Sequence, residues 1–313
     1  AIMENATRAW DMAFYSQPFA EGDRILTGAS EYASNYLAYL QVTRRTGAVV
    51  EAVPSDETGQ ISVDSLANAI DDRVKLIAIT HVPTNGGLVN PAAAIGRVAA
   101  QAGIPYLLDA CQSVGQMPID VKAIGCDMLS ATGRKYLRGP RGTGLLYVRR
   151  GLAERMEPPF LDMGSADWVA PDRFEIRPGA KRFENWESYV AGKSGLRTAV
   201  DYALSWGMEL SYRRIQTLAE QARAGLGDIP GAQVQDLGAE KCGIVSFTLD
   251  GHDPADVAQA LGADGMNVSV SLAGQTRLDM DARGFDALIR ASVHYYNSED
   301  EVQRFLGAIE ELV

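Results

Sequence analysis

The chain contains few residues of the types that form disulfides or bind metals. Three cysteines and three histidines occur among 313 residues, at Cys111, Cys126, Cys242, His81, His252 and His294. The number of cysteines is odd, and neither residue type shows the spacing of metal ligands. We therefore expect free thiols in a reducing cytoplasm and no structural metal site.

Long hydrophobic runs and an excess of basic residues are also absent. No apolar run approaches the roughly 18 residues needed to cross a bilayer, and no basic segment followed by an apolar one opens the chain. The formal net charge is −11, which argues against nucleic acid or an anionic membrane surface as a partner. The remaining composition, 46% hydrophobic and 22% charged residues, is that of an ordinary globular protein.

The first half of the chain alternates strand-like and helix-like segments. Predicted strands cover 24–28, 48–53, 76–81, 105–109, a segment beginning at 127, and 144–149, with predicted helices at 35–42, 63–71 and 91–103. The strand at 76–81 is apolar on both faces, as a covered strand requires. This order predicts an α/β fold with a mostly parallel central sheet and helices on both faces.

The second half is less regular. Residues 151–182 show no sustained period and are predicted to form a crossing segment that contributes to a subunit interface. One long helix is predicted from about 193 to 226. Strands at 232–236, 243–249 and 288–293, with helices at 254–261 and 298–312, predict an α+β lobe. We expect a large domain at 1–205 and a smaller C-terminal domain at 206–313.

Three polar side chains follow two of the predicted strands. Asp109 and Gln112 follow one strand, and Lys135 follows the next. Ligands of open α/β sheets bind beyond the carboxyl ends of the strands. An amine, a carboxylate and an amide suit pyridoxal phosphate, because they can bond its aldehyde, its ring nitrogen and its ring hydroxyl. Taken singly, these residues equally allow a solvated loop lysine and a helix N-cap.

Two longer segments resemble those of a known family. Leu108–Gly115 and Ser130–Gly144 look like the corresponding segments of class V pyridoxal phosphate enzymes, which include cysteine desulfurases, C–S lyases, epimerases and some aminotransferases. The resemblance extends from Asn5 to Ser298. It implies the fold-type I scaffold, pyridoxal phosphate as cofactor and a homodimer with shared active sites. Relatives carry a further segment before this start, so we expect that segment to be missing here.

The resemblance implies a phosphate site. Ala6 and Thr7 lie in a segment similar to the family's phosphate-binding helix start, where anions bind well; a simple N-cap is the alternative. Thr132 takes the place of the family's phosphate-binding serine. Arg134 replaces a common histidine, and a guanidinium also binds phosphate strongly.

The resemblance also implies ring and substrate contacts. Asp109 is expected at the ring nitrogen, Gln112 at the phenolic oxygen, and Asn85 near that oxygen and the substrate carboxylate. By themselves, the residues around Asn85 would favour a turn asparagine. Tyr32 stands where many relatives stack a histidine on the ring, and either stacking or an interface position is open for it. Arg290 matches the arginine that binds the substrate α-carboxylate, although a lone arginine there is more often a surface ion pair.

A segment similar to the one that crosses the dimer in relatives lies at Arg182–Glu187. Relatives that are desulfurases supply a threonine to the neighbouring phosphate from this segment, whereas this chain has Trp186 and Glu187. A cross-subunit role is therefore predicted without an assigned chemistry. The glycines at Gly139–Gly144 do not match a dinucleotide fingerprint, so nicotinamide and ATP are not expected as cofactors.

The reaction predicted from the sequence is elimination at a C–S or similar bond. Desulfurases use a mobile-loop cysteine, and residues 270–288 contain none, which disfavours persulfide transfer. Lys135 is expected to remove the substrate Cα proton and form a carbanion. The motifs look most like the branch that includes hercynylcysteine sulfoxide lyase. Class V aminotransferase, amino-acid epimerase and a non-catalytic relative or inactive fragment are the alternatives.

Overall fold

The computed structural model describes all residues from 1 to 313. Its largest sheet has seven strands in the order β1-β7-β6-β5-β4-β2-β3. The strands are β1 (Ile2–Met3), β2 (Arg24–Gly28), β3 (Val49–Val53), β4 (Val74–Thr80), β5 (Tyr106–Asp109), β6 (Met128–Thr132) and β7 (Gly144–Val148). Strands β2 to β6 are parallel, and β7 pairs antiparallel with both β6 and β1. The predicted α/β fold with a mostly parallel sheet is confirmed.

Helices cover both faces of this sheet. They are α1 (Ala6–Phe14), α2 (Ala33–Thr46), α3 (Val63–Asn68), α4 (Ala92–Ala102), α5 (Val121–Ile124) and α6 (Arg150–Ala153). Within β4, Leu76 packs into a core with Trp10 of α1, whereas Ile77 packs into the opposite core with Ile95 of α4. Successive side chains of a strand point to opposite faces, so two apolar cores hold the central strands rigidly.

The C-terminal part contains a second, antiparallel sheet in the order β10-β11-β13-β12. Its strands are β10 (Ala232–Val234), β11 (Ile244–Leu249), β12 (Ser269–Leu272) and β13 (Ala287–Ser292), and its helices are α9 (Pro254–Ala263), α10 (Arg277–Arg283) and α11 (Glu299–Glu310). The predicted α+β lobe matches except that β12 and α10 were missed. The β12 segment is short and only partly apolar, and it pairs with β13 alone.

The prediction of one long helix from 193 to 226 was wrong. The structure has two helices, α7 (Val190–Trp206) and α8 (Met208–Asp228), separated by Gly207 at φ +82° and ψ 117°. A left-handed φ costs glycine little and interrupts the helical hydrogen bonds. The proposed division of the chain after residue 205 lies beside this break. It stays a proposal, because hydrogen bonds such as Gly243 N–H to Gln116 Oε1 (3.0 Å) cross it.

The segment predicted to lack regular structure contains a β-hairpin. Strands β8 (Ala166–Ala170) and β9 (Arg173–Ile176) pair only with each other. Because the hairpin is exposed, its sequence does not alternate between buried and exposed residues.

No helix has the length and apolar character required for a membrane span.

Candidate active site

A cavity of about 390 Å³ lies at the carboxyl ends of β4, β5 and β6, beside the first turn of α1. Fifteen residues line it: Asn5, Ala6, Thr7, Arg8, Tyr32, Asn35, Thr80, Val82, Thr84, Asp109, Cys111, Gln112, Thr132, Arg134 and Lys135. Eight of the ten predicted site residues are among them. Asn85 and Arg290 are the two that do not line the cavity. Arg290 donates a hydrogen bond to Thr84, which does line it, and Asn85 directly follows Thr84 in the sequence.

Lys135 lies in a tight loop after β6. The Gly139 N–H donates to Gly133 O at 2.6 Å, and the Gly133 N–H donates to Thr143 O at 2.9 Å. A Cβ atom at Gly133 would collide with the Thr143 hydroxyl, so this position requires glycine. The loop thereby carries Lys135 back to the cavity instead of continuing along the strand.

Cys111 is the cysteine of the cavity. It lies against the Lys135 amine, and burial raises the pKa of its thiol to about 11. The thiol is therefore protonated at neutral pH, which makes it a poor nucleophile. Cys126 and Cys242 are fully buried elsewhere.

The Asp109 carboxylate is fixed at the buried wall. Its Oδ1 accepts the Cys111 N–H at 2.9 Å, and its Oδ2 accepts a hydrogen from Asn35 Nδ2, also at 2.9 Å. Burial raises the pKa of Asp109, and the bonds from Asn35 and Cys111 and the charge of Lys135 offset part of that shift. A cation beside Asp109 would stabilise its ionised form.

Asn35 also contacts a second buried carboxylate. Asn35 Nδ2 donates to Glu31 Oε1 at 2.8 Å. Burial raises the pKa of Glu31 to about 7. The sequence analysis assigned no role to Glu31 or Asn35; an acid followed four residues later by an amide at a helix start was the available signal.

The opposite wall consists of the α1 start and the loop after β6. Asn5 is the N-cap of α1, and its side chain accepts the Arg8 N–H at 2.9 Å. Gly144 lets β7 approach this turn closely, since a Cβ there would lie 2.6 Å from the Asn5 carbonyl carbon. Free N–H groups at a helix N-terminus attract anions.

Three further predicted residues lie at this wall. Thr7 and Arg134 are exposed to solvent, and Thr132 is buried. The Thr132 hydroxyl donates to Thr143 O at 3.3 Å. No acidic residue forms an ion pair with Arg134. The hydroxyls, the guanidinium and the helix start together provide groups that suit an anion.

A third cluster links the two lobes. Arg290 Nη1 donates to Thr84 O at 2.8 Å and to Thr84 Oγ1 at 3.2 Å. Gln112 Nε2 also donates to Thr84 Oγ1, at 3.2 Å. Burial lowers the pKa of Arg290, its Nε atom has no partner, and no acid pairs with it. A buried guanidinium without a counter-ion suits a carboxylate ligand. Thr84, which the sequence analysis missed, connects this cluster to the cavity.

Asn85 occupies the junction between the lobes. Its Nδ2 donates to O of Leu272, the last residue of β12, at 3.1 Å, while its Oδ1 is buried without a partner. It therefore lies next to the Thr84–Arg290 contact, outside the cavity wall. Its predicted contact with cofactor and substrate stays a prediction.

Two other predictions concern aromatic residues. Tyr32 precedes α2 and lines the cavity, and its backbone N–H donates to Glu31 Oε1 at 3.0 Å. Trp186 is 66% exposed, and neither it nor Glu187 lines the cavity. The ring-stacking role of Tyr32 and the cross-subunit role of the Trp186 segment stay predictions.

The residues present fit pyridoxal phosphate. The anion site suits its phosphate, the buried Asp109 suits a protonated ring nitrogen, and Lys135 provides the amine for its aldehyde. The unpartnered Arg290 Nε and Asn85 Oδ1 atoms are further polar groups for a bound amino acid. Groups that suit the phosphate, the ring nitrogen and the aldehyde of the cofactor thus line a single cavity.

Comparison with known proteins agrees with this fit. A family model described as aminotransferase class-V matches residues 2–305. A probable cysteine desulfurase of Methanothermobacter thermautotrophicus is 31% identical over 314 residues, which cover 99% of this chain and 78% of that protein.

Two solved structures share the fold over nearly the whole chain. The apo cysteine desulfurase of Thermococcus onnurineus superposes with a TM-score of 0.94 at 28% identity, covering 100% of this chain and 78% of that one. A cystine C–S lyase in complex with its product, cysteine persulfide, superposes with a TM-score of 0.88 at 25% identity, covering 99% and 81%.

Proposed function

Since this chain belongs to the aminotransferase class-V family of pyridoxal phosphate enzymes, we propose that it is a C–S lyase that eliminates the β-substituent of an amino acid. When bound, the cofactor supplies an electron-withdrawing ring that stabilises negative charge at the substrate Cα. The predicted relation to the hercynylcysteine sulfoxide lyase branch stays a prediction.

The proposed site assigns a task to each group of residues. Thr7, Thr132 and Arg134 bind the phosphate, with the α1 start. Asp109 would accept a hydrogen bond from the protonated ring nitrogen and so keep the proton there. Gln112 lies beside Thr84 and bonds the ring oxygen.

Substrate positioning and proton transfer fall to two residues. Arg290, held by Thr84, binds the substrate α-carboxylate and thereby orients the Cα–H bond. The Lys135 amine removes the Cα proton. The loop that holds Lys135 is closed by backbone hydrogen bonds, so the backbone that carries this base is fixed before substrate binds.

The proposal of elimination rather than persulfide transfer rests on residues 269–283 and on Cys111. Residues 269–283 are folded as β12, a short 3-10 turn and α10, and this segment contains no cysteine. The one cysteine in the cavity, Cys111, is held as a thiol. With no reactive thiolate to accept sulfur, the sulfur leaves with the eliminated group.

A product assay tests the proposal. With a cysteine-derived substrate, we expect pyruvate, ammonia and a released sulfur compound in equal amounts. Cys111→Ser should retain this activity. Alanine formed together with a protein-bound persulfide would contradict elimination, and so would amino transfer to an added keto acid or inversion at Cα without pyruvate.

The exposed apolar surface supports the predicted homodimer. Trp168 is 80% exposed on the β8–β9 hairpin, and Met163, which precedes the hairpin, and Val190, at the start of α7, are each 70% exposed. An isolated two-stranded hairpin is marginally stable in water, and exposed apolar patches of this kind mark interfaces. We therefore propose that a second copy covers this face. Light scattering should give the mass of a dimer, and Trp168→Glu should weaken the dimer.

A cytoplasmic location stays a prediction from the free cysteines.

A further inference from the structure

We propose that Glu31 is a positioning residue for the cofactor: through Asn35 it fixes the Asp109 carboxylate toward the cavity and places a second negative charge behind it. The inference rests on the assignment of Asp109 to the ring nitrogen made above. It does not depend on which reaction follows.

One amide group bridges the two carboxylates. Asn35 Nδ2 lies 2.8 Å from Glu31 Oε1 and 2.9 Å from Asp109 Oδ2, so the two hydrogens of one NH₂ group serve both acids. The other Asp109 oxygen accepts the Cys111 N–H. Asp109 therefore has a fixed orientation before any ligand binds.

Glu31 itself is bound on every side by donors. It accepts hydrogen bonds from Thr27 Oγ1 at 2.8 Å, from the Tyr32 N–H at 3.0 Å, from the Thr80 N–H at 3.2 Å, and from the Thr80 hydroxyl. These partners lie on β2, at the start of α2 and on β4. Glu31 thus connects three elements at the carboxyl edge of the sheet.

The titratable groups around Glu31 leave its charge without a counter-ion. Burial is the main reason that the pKa of Glu31 is raised, and the charge of Asp109 raises it further. Tyr39 and Tyr106 also interact with Glu31 electrostatically, and neither is cationic. Lys135 is the cation that acts on Asp109. A buried carboxylate without a counter-ion is costly.

A purely structural role would not require this cost, because a neutral side chain can also bridge strands and a helix. The second acid has a use if a cation occupies the cavity in front of Asp109. Two carboxylates behind a ring nitrogen hold its proton more firmly than one does. Glu31 therefore acts on the cofactor through Asn35 and Asp109 without touching it.

The experiment measures protonation at the ring nitrogen directly. Holoenzyme is loaded with cofactor carrying heavy nitrogen in the ring, and the nitrogen NMR shift is followed with pH. Three variants are compared: Glu31→Gln, Asn35→Leu and Asp109→Asn. Glu154→Gln, at an exposed position, is the matched control.

We expect Glu31→Gln and Asn35→Leu to lower the pH of ring deprotonation by about one unit, and Asp109→Asn to lower it further. The Glu154 control should not change it. Asn35→Leu keeps Glu31 but removes the bridge, so it also serves if Glu31→Gln does not fold.

Two outcomes would overturn the proposal. If Asp109→Asn changes ring protonation but both Glu31→Gln and Asn35→Leu leave it unchanged while lowering the melting temperature, Glu31 is a structural residue. If Asp109→Asn has no effect either, the assignment of Asp109 fails and the Glu31 proposal fails with it.

Discussion

The two ends of the cavity differ in how their polar groups are partnered. At the acidic end, Glu31, Asn35 and Asp109 are buried and hydrogen-bonded to one another and to neighbouring strands. At the cationic end, Arg134 is exposed and Lys135 is half-buried, and neither forms an ion pair. The acidic end is therefore arranged in advance, whereas the cationic end leaves its charges free for a ligand. Pre-organised dipoles and unpaired charges of this kind are typical of catalytic sites.

The largest expected effect comes from the cationic end. Lys135→Ala removes the amine that bonds the cofactor and accepts the Cα proton, so turnover should fall by about 10⁴-fold or more. Lys122→Ala, at an exposed position, is the control. Pyruvate release and circular dichroism measure activity and folding. Wild-type turnover in Lys135→Ala would show that the Lys135 amine takes no part in the reaction, and that the cationic end is not part of the active site.

The acidic end should control the stability of the cofactor-free protein as a function of pH. The pKa of Glu31 is raised from 4.5 to about 7 in the folded state, so the protonated form is favoured by folding. The resulting stabilisation is present below about pH 4.5 and is lost as the pH rises through 7, with a magnitude of about 3 kcal/mol.

His81 has the opposite dependence, which makes a difference measurement necessary. Burial lowers its pKa from 6.5 to about 4, so its contribution is present above 6.5 and is lost as the pH falls toward 4. Urea unfolding of wild type and Glu31→Gln between pH 5 and 8 isolates the Glu31 contribution. A difference that does not change with pH would contradict a buried, titrating Glu31.

Arg290 tests the connection between the cavity and the C-terminal lobe. Arg290→Gln removes a charged donor that is proposed to bind the substrate carboxylate, at a cost of about 3 kcal/mol, or about 10²-fold in kcat/KM. Cofactor affinity should change little, because Arg290 does not line the cavity. A large loss of cofactor affinity with normal kcat/KM in saturating cofactor would show that Arg290 binds the cofactor and not the substrate carboxylate.

The smallest effect is expected at the exposed phosphate contact. Arg134→Gln should weaken cofactor binding about tenfold, because its charge is partly screened by solvent. The loss should shrink as salt is added, which fluorescence titration of the cofactor-free protein can measure. Thr132→Val provides a comparison at a buried position, where salt should have little influence. Equal salt dependence in both variants would remove the distinction between exposed and buried phosphate contacts.

Most strands of the large sheet were predicted because they depend on local patterns, whereas the resemblance to class V enzymes supplied most of the cavity residues. Strand β4 is apolar from Leu76 to Ile79, and these residues alternate between two cores. The break at Gly207 was not predicted, since an isolated glycine in a helical pattern usually does not interrupt a helix. The exposed hairpin β8–β9 was also missed, because it has no buried face to produce alternation.

By itself, the sequence determined that Asp109, Gln112 and Lys135 would meet, because the carboxyl ends of neighbouring parallel strands lie at one edge of a sheet. Only the tertiary structure decided which partners hold them. Asn35 reaches Asp109 across 74 residues of sequence, and Thr84 meets Arg290 across 206. No local pattern encodes such pairs, since each depends on how a helix start and a distant strand pack against the sheet.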